Sequence, residues 1–256
     1  MKIVSRTVEV MTLPFTISLV TTDEHTNTVV SLVEKTVQSV LSRLLEIEEK
    51  FSAFKKRSLV CRYQSGESSP LLDSEFQEVL TRVMMAQKET GGAFDPYYNG
   101  VYDPTGLVKG WAIEKVFEQY LKPLLAWPVI EAVCLNGGGD MQFETKSNSH
   151  FSWKVGIENP MNVQEMIASF QIQTGAIATS GYSKRGQHIC STSTIQQVTI
   201  IDTNLTQADI WATAGLVLAE REFLQAIKKY KLSGLYVTAA QKQFFKQGEC
   251  IDVQEK

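Results

Sequence analysis

Asp209 and Thr213 stand four residues apart in the segment Ala208-Asp209-Ile210-Trp211-Ala212-Thr213-Ala214. On a helix that spacing puts both side chains on one face, one turn apart. A carboxylate with a hydroxyl is a hard-oxygen pair suited to Mg²⁺, which takes one or two carboxylates and completes its shell with water and phosphate oxygens. The same pair also serves as a helix N-cap with a buried threonine. A second polar segment reads Asp103-Pro104-Thr105-Gly106-Leu107-Val108-Lys109-Gly110-Trp111-Ala112. Asp103 and Thr105 suit a helix cap, and the free N–H groups of a helix start behind a glycine suit an anion. Lys109 in the first turn opposes the helix dipole, a conflict that a nearby phosphate resolves.

Three further segments offer backbone rather than side chains. In Gly92-Ala93-Phe94-Asp95-Pro96 a helix stop and turn is one reading. The other is a Gly-Ala backbone approaching a flat ligand, with Asp95 accepting hydrogen bonds from it. Asn136-Gly137-Gly138-Gly139-Asp140 supplies the positive φ of a hairpin turn, yet three glycines exceed what a turn needs and would let backbone approach a ligand. Thr174-Gly175-Ala176-Ile177-Ala178-Thr179-Ser180-Gly181-Tyr182 is nearly free of bulky side chains and fits either a tightly packed strand or a ligand surface. His188 follows it, as a structural histidine or as a base with an intrinsic pKa near 6.5. GxGxxG, GxxxxGK[ST] and GxSxG are all absent, so no Rossmann cofactor site, P-loop or nucleophile elbow is expected.

The elements that must hold these segments come from hydrophobic periodicity. Residues 3–20 alternate, which predicts a strand hairpin around Leu13-Pro14. Apolar residues at helical spacing predict helices over about 28–50, 74–90, 107–121 (ending before Pro123) and 205–229. Strands are expected over 129–135, 141–143, 153–157, 168–172, 197–201, 234–238 and 243–246. Helices and strands do not alternate strictly, so the expected class is α+β with largely antiparallel sheet, in a single domain spanning 1–256.

Composition narrows the functions. The chain has 256 residues, 43% of them hydrophobic, with 25 Lys+Arg against 28 Asp+Glu, enough apolar material for a core. A net charge of −3 argues against nucleic acid as a bulk-electrostatic partner. No apolar run approaches the roughly 20 residues of a membrane span. Early charges at Lys2 and Arg6 break the first apolar run, so neither signal peptide nor lipid anchor is expected and a cytoplasmic location is. Cys61, Cys134, Cys190 and Cys250 show no CxxC spacing, so neither a zinc site nor a disulfide framework is expected.

Taken in order, the segments resemble the FAD:protein FMN transferases, the ApbE-like flavin transferases earlier described as thiamine-biosynthesis lipoproteins. The resemblance covers roughly residues 8–215. Met11-Thr12-Leu13-Pro14-Phe15 is similar to the family's opening M-G-T strand, with Thr12 in place of glycine. Glu49-Lys50-Phe51-Ser52-Ala53-Phe54 with Ser58 is similar to its E-x-x-F-S-x-[FY]-x-x-x-S segment. G-x-F-D-P, D-x-x-x-x-x-K-G-[YW]-A, N-x-G-G-D, W-x-V-G-I-x-x-P, A-T-S-G and A-D-x-x-[AS]-T elements start at Gly92, Asp103, Asn136, Trp153, Ala178 and Ala208. His188-Ile189 resembles the start of the family's H-I-[IV]-D-P-x-T-G segment, but Cys190-Ser191-Thr192 follows where the family has Asp-Pro. The 95–103 interval is short, and Gln64 stands where the family has Asn.

The resemblance implies two interlocked α+β halves with a flavin cleft between them and Mg²⁺ on the FAD pyrophosphate. It implies metal ligation by the Asp209 and Thr213 side chains and the Gly106 carbonyl. It implies flavin contacts at Met11, Phe54, Ala93, Phe94, Asp95, Asp103 and Lys109, and the glycine turn adds Gly137 and Gly138. The implied reaction is Mg²⁺-dependent transfer of FMN from FAD to a Thr or Ser hydroxyl of an acceptor flavoprotein, with release of AMP. Lys109 would add charge at the phosphates, and His188 would take the hydroxyl proton. Alternatives on the same residues are a Mg²⁺-dependent FAD pyrophosphatase, giving FMN and AMP, and a non-catalytic flavin binder.

Overall fold

The computed structural model describes residues 1–181 and 193–251. The chain opens with strands β1 (Lys2–Val10) and β2 (Leu13–Thr21), joined by a turn at Met11-Thr12 rather than at Leu13-Pro14. Both turn residues have positive φ, 54° and 61°, the backbone that matches the right-handed twist of a two-residue hairpin. Neither is a glycine or asparagine, so the sequence carried no turn signal there. Pro14 lies inside β2 opposite Glu9.

After β2 come helices α1 (Thr26–Phe51), α2 (Leu59–Gln64), α3 (Ser74–Glu89) and α4 (Thr105–Val116). Asp73 caps α3, its Oδ1 accepting from the N–H groups of Glu75 and Phe76, both at 3.0 Å. Past Val116 the expected helix loosens into a π turn and then a 3₁₀ turn over Lys122–Ala126. Pro123 is accommodated in the first turn of the latter, where its missing N–H leaves no bond unmade. Strands β3 (Ile130–Gly137), β4 (Asp140–Thr145), β5 (Trp153–Asn159), β6 (Asn162–Ile172), β7 (Gly175–Gly181) and β8 (Ile195–Asp202) follow. Helices α5 (Leu205–Val217) and α6 (Glu220–Tyr230), then β9 (Ser233–Thr238), β10 (Lys242–Lys246) and β11 (Glu249–Ile251), complete the described chain. The single helix expected over 205–229 is therefore two. The break is at Leu218 and Ala219, where the Ala219 N–H donates to the Glu222 carboxylate at 3.2 Å.

Nine strands form one sheet in the order β1-β2-β3-β4-β7-β8-β9-β10-β11, and every described pairing is antiparallel. The α+β class with antiparallel sheet is thus as expected. Period-two alternation sends Phe15, Ile17, Leu135, Ala178 and Val198 to one face, where Val40, Leu44, Trp111 and Ile210 of the helices cover them. Cys134, Phe143 and Ile177 face the other way and are covered by Trp153, Val155 and Ile157 of the separate β5–β6 hairpin. The layers are helices, main sheet and hairpin. Among the described residues no helix is long and apolar enough to cross a membrane.

Candidate functional site

Helices α4 and α5 meet at a glycine. A Cβ on Gly110 would stand 3.1 Å from both Cβ and Oδ2 of Asp209 and 3.4 Å from the Leu205 carbonyl. Only a side-chain-free α4 lets α5 bring Asp209 this close. Asp209 itself is 1% exposed. Lys109, one residue earlier on α4, reaches between two carboxylates: its ammonium forms an ion pair with Asp140 Oδ2 and lies 3.6 Å from Asp209 Oδ2. Asp140 is as buried as Asp209, and its Oδ1 accepts from the Thr179 N–H at 3.0 Å. One turn after Asp209, the Thr213 hydroxyl meets that of Ser180 at 3.3 Å. Gly106 lies one turn before Gly110 on α4, on the same face.

The start of α5 is held from three sides. Asn204 caps it, accepting from Gln207 N at 2.9 Å, so Asp209 is not the N-cap that its position allowed. Buried Gln142 of β4 accepts from Leu205 N at 3.1 Å and donates to the carbonyls of Gly175 and Thr203, both at 3.2 Å. Glu114 of α4 accepts from the Thr206 hydroxyl at 2.5 Å and from Thr206 N at 3.2 Å. Both the Gln142 amide and the Glu114 carboxylate are engaged in this anchor, which fixes the pitch of α5 and so the position of Asp209.

Two hairpin tips lie side by side at the β2–β3 end of the sheet. Gly138 N donates to the Pro14 carbonyl at 3.0 Å, and Gly139 N to Asn136 Oδ1 at 2.9 Å. Gly138 and Gly139 have φ of 63° and 102°, as the turn requires. Gly137 is different: a Cβ there would come within 2.6 Å of Ile113 and 2.8 Å of Phe15. Core packing fills its side-chain-free face, so it offers no surface to a ligand. A cleft of about 460 Å³ opens on the hairpin side of the sheet, lined among others by Gly138, Gly139, Gly156, Thr179, Gly181 and Gln197. Phe94, Asp95, Asp103 and Lys109 do not line this cleft.

The remaining expected residues fall at the helix side. Phe94 is buried against Gly106, where a Cβ would stand 3.3 Å from its ring. Asp95 Oδ1 accepts from Gln87 Nε2 and Tyr97 N, both at 2.9 Å, and half-buried Ala93 precedes it after two positive-φ glycines. Asp103 accepts from Thr105 N at 2.9 Å and from the Tyr98 hydroxyl at 3.4 Å. Gln64 donates to the Tyr102 carbonyl at 2.6 Å, tying α2 to the same loop. Phe54 is 90% exposed, an aromatic face with no protein cover. Met11 packs partly against the helix-side core. His188 lies outside the described residues.

The structure therefore brings Lys109, Asp209 and Thr213 to one place and adds Asp140, Ser180, Gln142 and Glu114, which sequence reading did not single out for chemistry. Asp140 closes the Asn-Gly-Gly-Gly-Asp run and was visible as a turn acid. Gln142 and Glu114 carried no signal, because their partners lie far away along the chain. The side-chain donors suit a hard cation: a carboxylate and a hydroxyl one turn apart on α5. Among the described residues no three His, Cys, Asp or Glu side chains gather as a metal cluster. A cation here would have Asp209 as its carboxylate and Thr213 as its hydroxyl.

A family model described as the ApbE family matches residues 101–236, more than half of the chain. No curated protein matches. Among solved structures, the flavin transferase ApbE from Vibrio cholerae superposes with a TM-score of 0.73 at 16% identity, covering 93% of this chain and 94% of that one. The ApbE protein from Thermotoga maritima superposes with a TM-score of 0.77 at 17% identity, covering 95% and 97%. The flavinyl transferase ApbE from Pseudomonas stutzeri, in its apo form, gives 0.71 at 17%, covering 93% and 91%. At these identities the likeness is one of fold.

Proposed function

This chain belongs to the ApbE family, and from that premise we propose that it transfers FMN from FAD to a Thr or Ser hydroxyl of an acceptor flavoprotein, releasing AMP. The observation that carries the reading is the α4–α5 crossing. There one ammonium, two buried carboxylates and two hydroxyls converge behind a helix start, a setting suited to a pyrophosphate and its counter-cation.

In this reading Asp209 and Thr213 would hold Mg²⁺ together with the Gly106 carbonyl. When bound, the ion would supply Lewis-acid polarisation and charge neutralisation to the pyrophosphate. Lys109 adds positive charge at the phosphate oxygens, where negative charge builds in the transition state. Gly110 sets the distance between the two helices, so Lys109 and Asp209 act on one group. Exposed Phe54 offers a ring face for the isoalloxazine, buried Phe94 packs beneath the Gly106 backbone, and the Asp95 loop offers backbone to the ligand's edge. The acceptor oxygen forms a bond to the FMN phosphorus while the bridging phosphorus–oxygen bond breaks, and AMP leaves with that electron pair. The hydroxyl proton goes to a base, for which His188 has the suitable intrinsic pKa of about 6.5.

The test is incubation with FAD and Mg²⁺, with AMP and free FMN followed by chromatography, with and without an acceptor. AMP without free FMN, together with a flavin-bearing acceptor, is the expected result. AMP with equal free FMN would make the chain a pyrophosphatase. Bound FAD with neither product would make it a carrier.

A further inference from the structure

We propose that Asp140 is a positioning residue: it draws the Lys109 ammonium to itself and so leaves the Asp209 carboxylate to a divalent cation. This rests on the assignment of a cation to Asp209 made above. The geometry is asymmetric. Lys109 Nζ is in direct ionic contact with Asp140 Oδ2 but 3.6 Å from Asp209 Oδ2, the looser of its two ion pairs. Asp140 is built to keep its place. It is the first residue of β4, paired across the turn with Gly137, and its other oxygen is held by the Thr179 N–H at 3.0 Å. Asp140 is 1% exposed, so its pull on the ammonium is little screened by water.

An ammonium and a divalent cation compete for the same carboxylate. Without the Asp140 charge, a small rotation of the Lys109 side chain would close its separation from Asp209, and an entering cation would have to displace it. The arrangement thus lets a lysine stand beside a cation site without occupying it, ready for phosphate oxygens. This differs from a packing role for Asp140 in the sign of one effect: removing Lys109 should help the cation.

The experiment measures Mn²⁺ binding to the full chain by electron paramagnetic resonance, a readout that needs no turnover. Four proteins are compared: the parent, Asp140→Asn, Lys109→Met and the double variant. Asparagine keeps an oxygen for the Thr179 N–H, so the local backbone bond survives the change. Asp140→Asn should weaken Mn²⁺ binding by about tenfold or more, the usual cost of losing an outer-shell partner. Lys109→Met should bind at least as tightly as the parent, and the double variant should recover most of the loss. A loss that persists undiminished in the Lys109→Met background, or no loss at all, overturns the proposal. Should Asp140→Asn fail to fold, weakened binding by Lys109→Met alone overturns it. Asp209→Asn separates the two levels. If that change leaves Mn²⁺ binding intact, the cation assignment itself is wrong. If it abolishes binding while Asp140→Asn does not weaken it, only the role of Asp140 falls.

Discussion

Asp209 gathers most of what the account assigns to single residues. It is buried beside an ammonium, it does not cap its helix, and its backbone is held by neighbours rather than by its own carboxylate. Asp209→Asn keeps size and shape and leaves Lys109 its closer partner, Asp140. The melting temperature should therefore stay within a few degrees, a shift worth about 1 kcal/mol or less, while cation-dependent turnover falls by at least about 10²-fold. Turnover within a few-fold of the parent at saturating Mg²⁺ would remove Asp209 from the site. At this scale the i, i+4 pair was legible, because helix geometry alone puts Asp209 and Thr213 on one face. The Lys109–Asp140 contact was not, since it joins a helix to a strand end that only the folded sheet brings together.

Among the elements, α4 and the first hairpin make predictions of opposite sign. Alanine at a helix interior ordinarily gains about 1 kcal/mol over glycine. At Gly110 the added methyl would press on Asp209 at 3.1 Å, so Asp209 or the whole of α5 must give by a few tenths of an ångström. Gly110→Ala should leave thermal stability nearly unchanged and lower turnover by about tenfold or more, since small misplacements are costly at a reacting centre. Unaltered turnover would mean that the spacing of α4 and α5 is not set for chemistry. Thr12 is the reverse case. It is exposed, and its φ of 61° costs an L-residue about 1–2 kcal/mol. Thr12→Gly should raise the stability to urea by about 0.5–1 kcal/mol after the added freedom of the unfolded chain is counted. No gain would show that the bond from the Thr12 hydroxyl to the Met11 carbonyl, 2.6 Å, already offsets the strain. Helices α1 and α3 were readable from their apolar stripes. The turn at Met11-Thr12 was not, because neither residue favours positive φ, and the α5–α6 break was not, because no glycine or proline marks it.

For the whole molecule, the α+β class followed from the irregular order of helical and strand patterns. The placement of β5 and β6 did not. Trp153, Val155 and Ile157 alternate as in any strand, and nothing local says that they cover the main sheet instead of joining it. Stability against acid also belongs to this scale, because it rests on ion pairs that tie helices together. Burial alone would raise the Asp73 and Glu78 carboxyls. Bonds from Lys50 and the α3 N–H groups to Asp73, and from Lys115 and the Trp111 indole to Glu78, outweigh it and hold both below their usual range. With folded pKa values below the unfolded ones near 3.9 and 4.3, the stabilisation is complete above those and fades as pH falls through them toward the folded values. Urea midpoints should be flat from about pH 7 to 5 and drop below about pH 4, and Asp73→Asn with Glu78→Gln should shallow the drop. An equally steep drop in that double variant would place the acid sensitivity elsewhere.

The central claim is that this chain moves FMN onto a protein hydroxyl, and the mass of the acceptor tests it most directly. An acceptor carrying a Thr or Ser flavinylation site would be incubated with FAD, Mg²⁺ and the chain, then weighed intact by mass spectrometry while AMP is quantified in the same sample. One FMN added per acceptor and one AMP per FMN added is the expected result. No addition is expected to an acceptor whose hydroxyl residue is alanine, and none with Asp209→Asn. AMP formed in equal amount with free FMN, at a rate indifferent to the acceptor and with its mass unchanged, would contradict it.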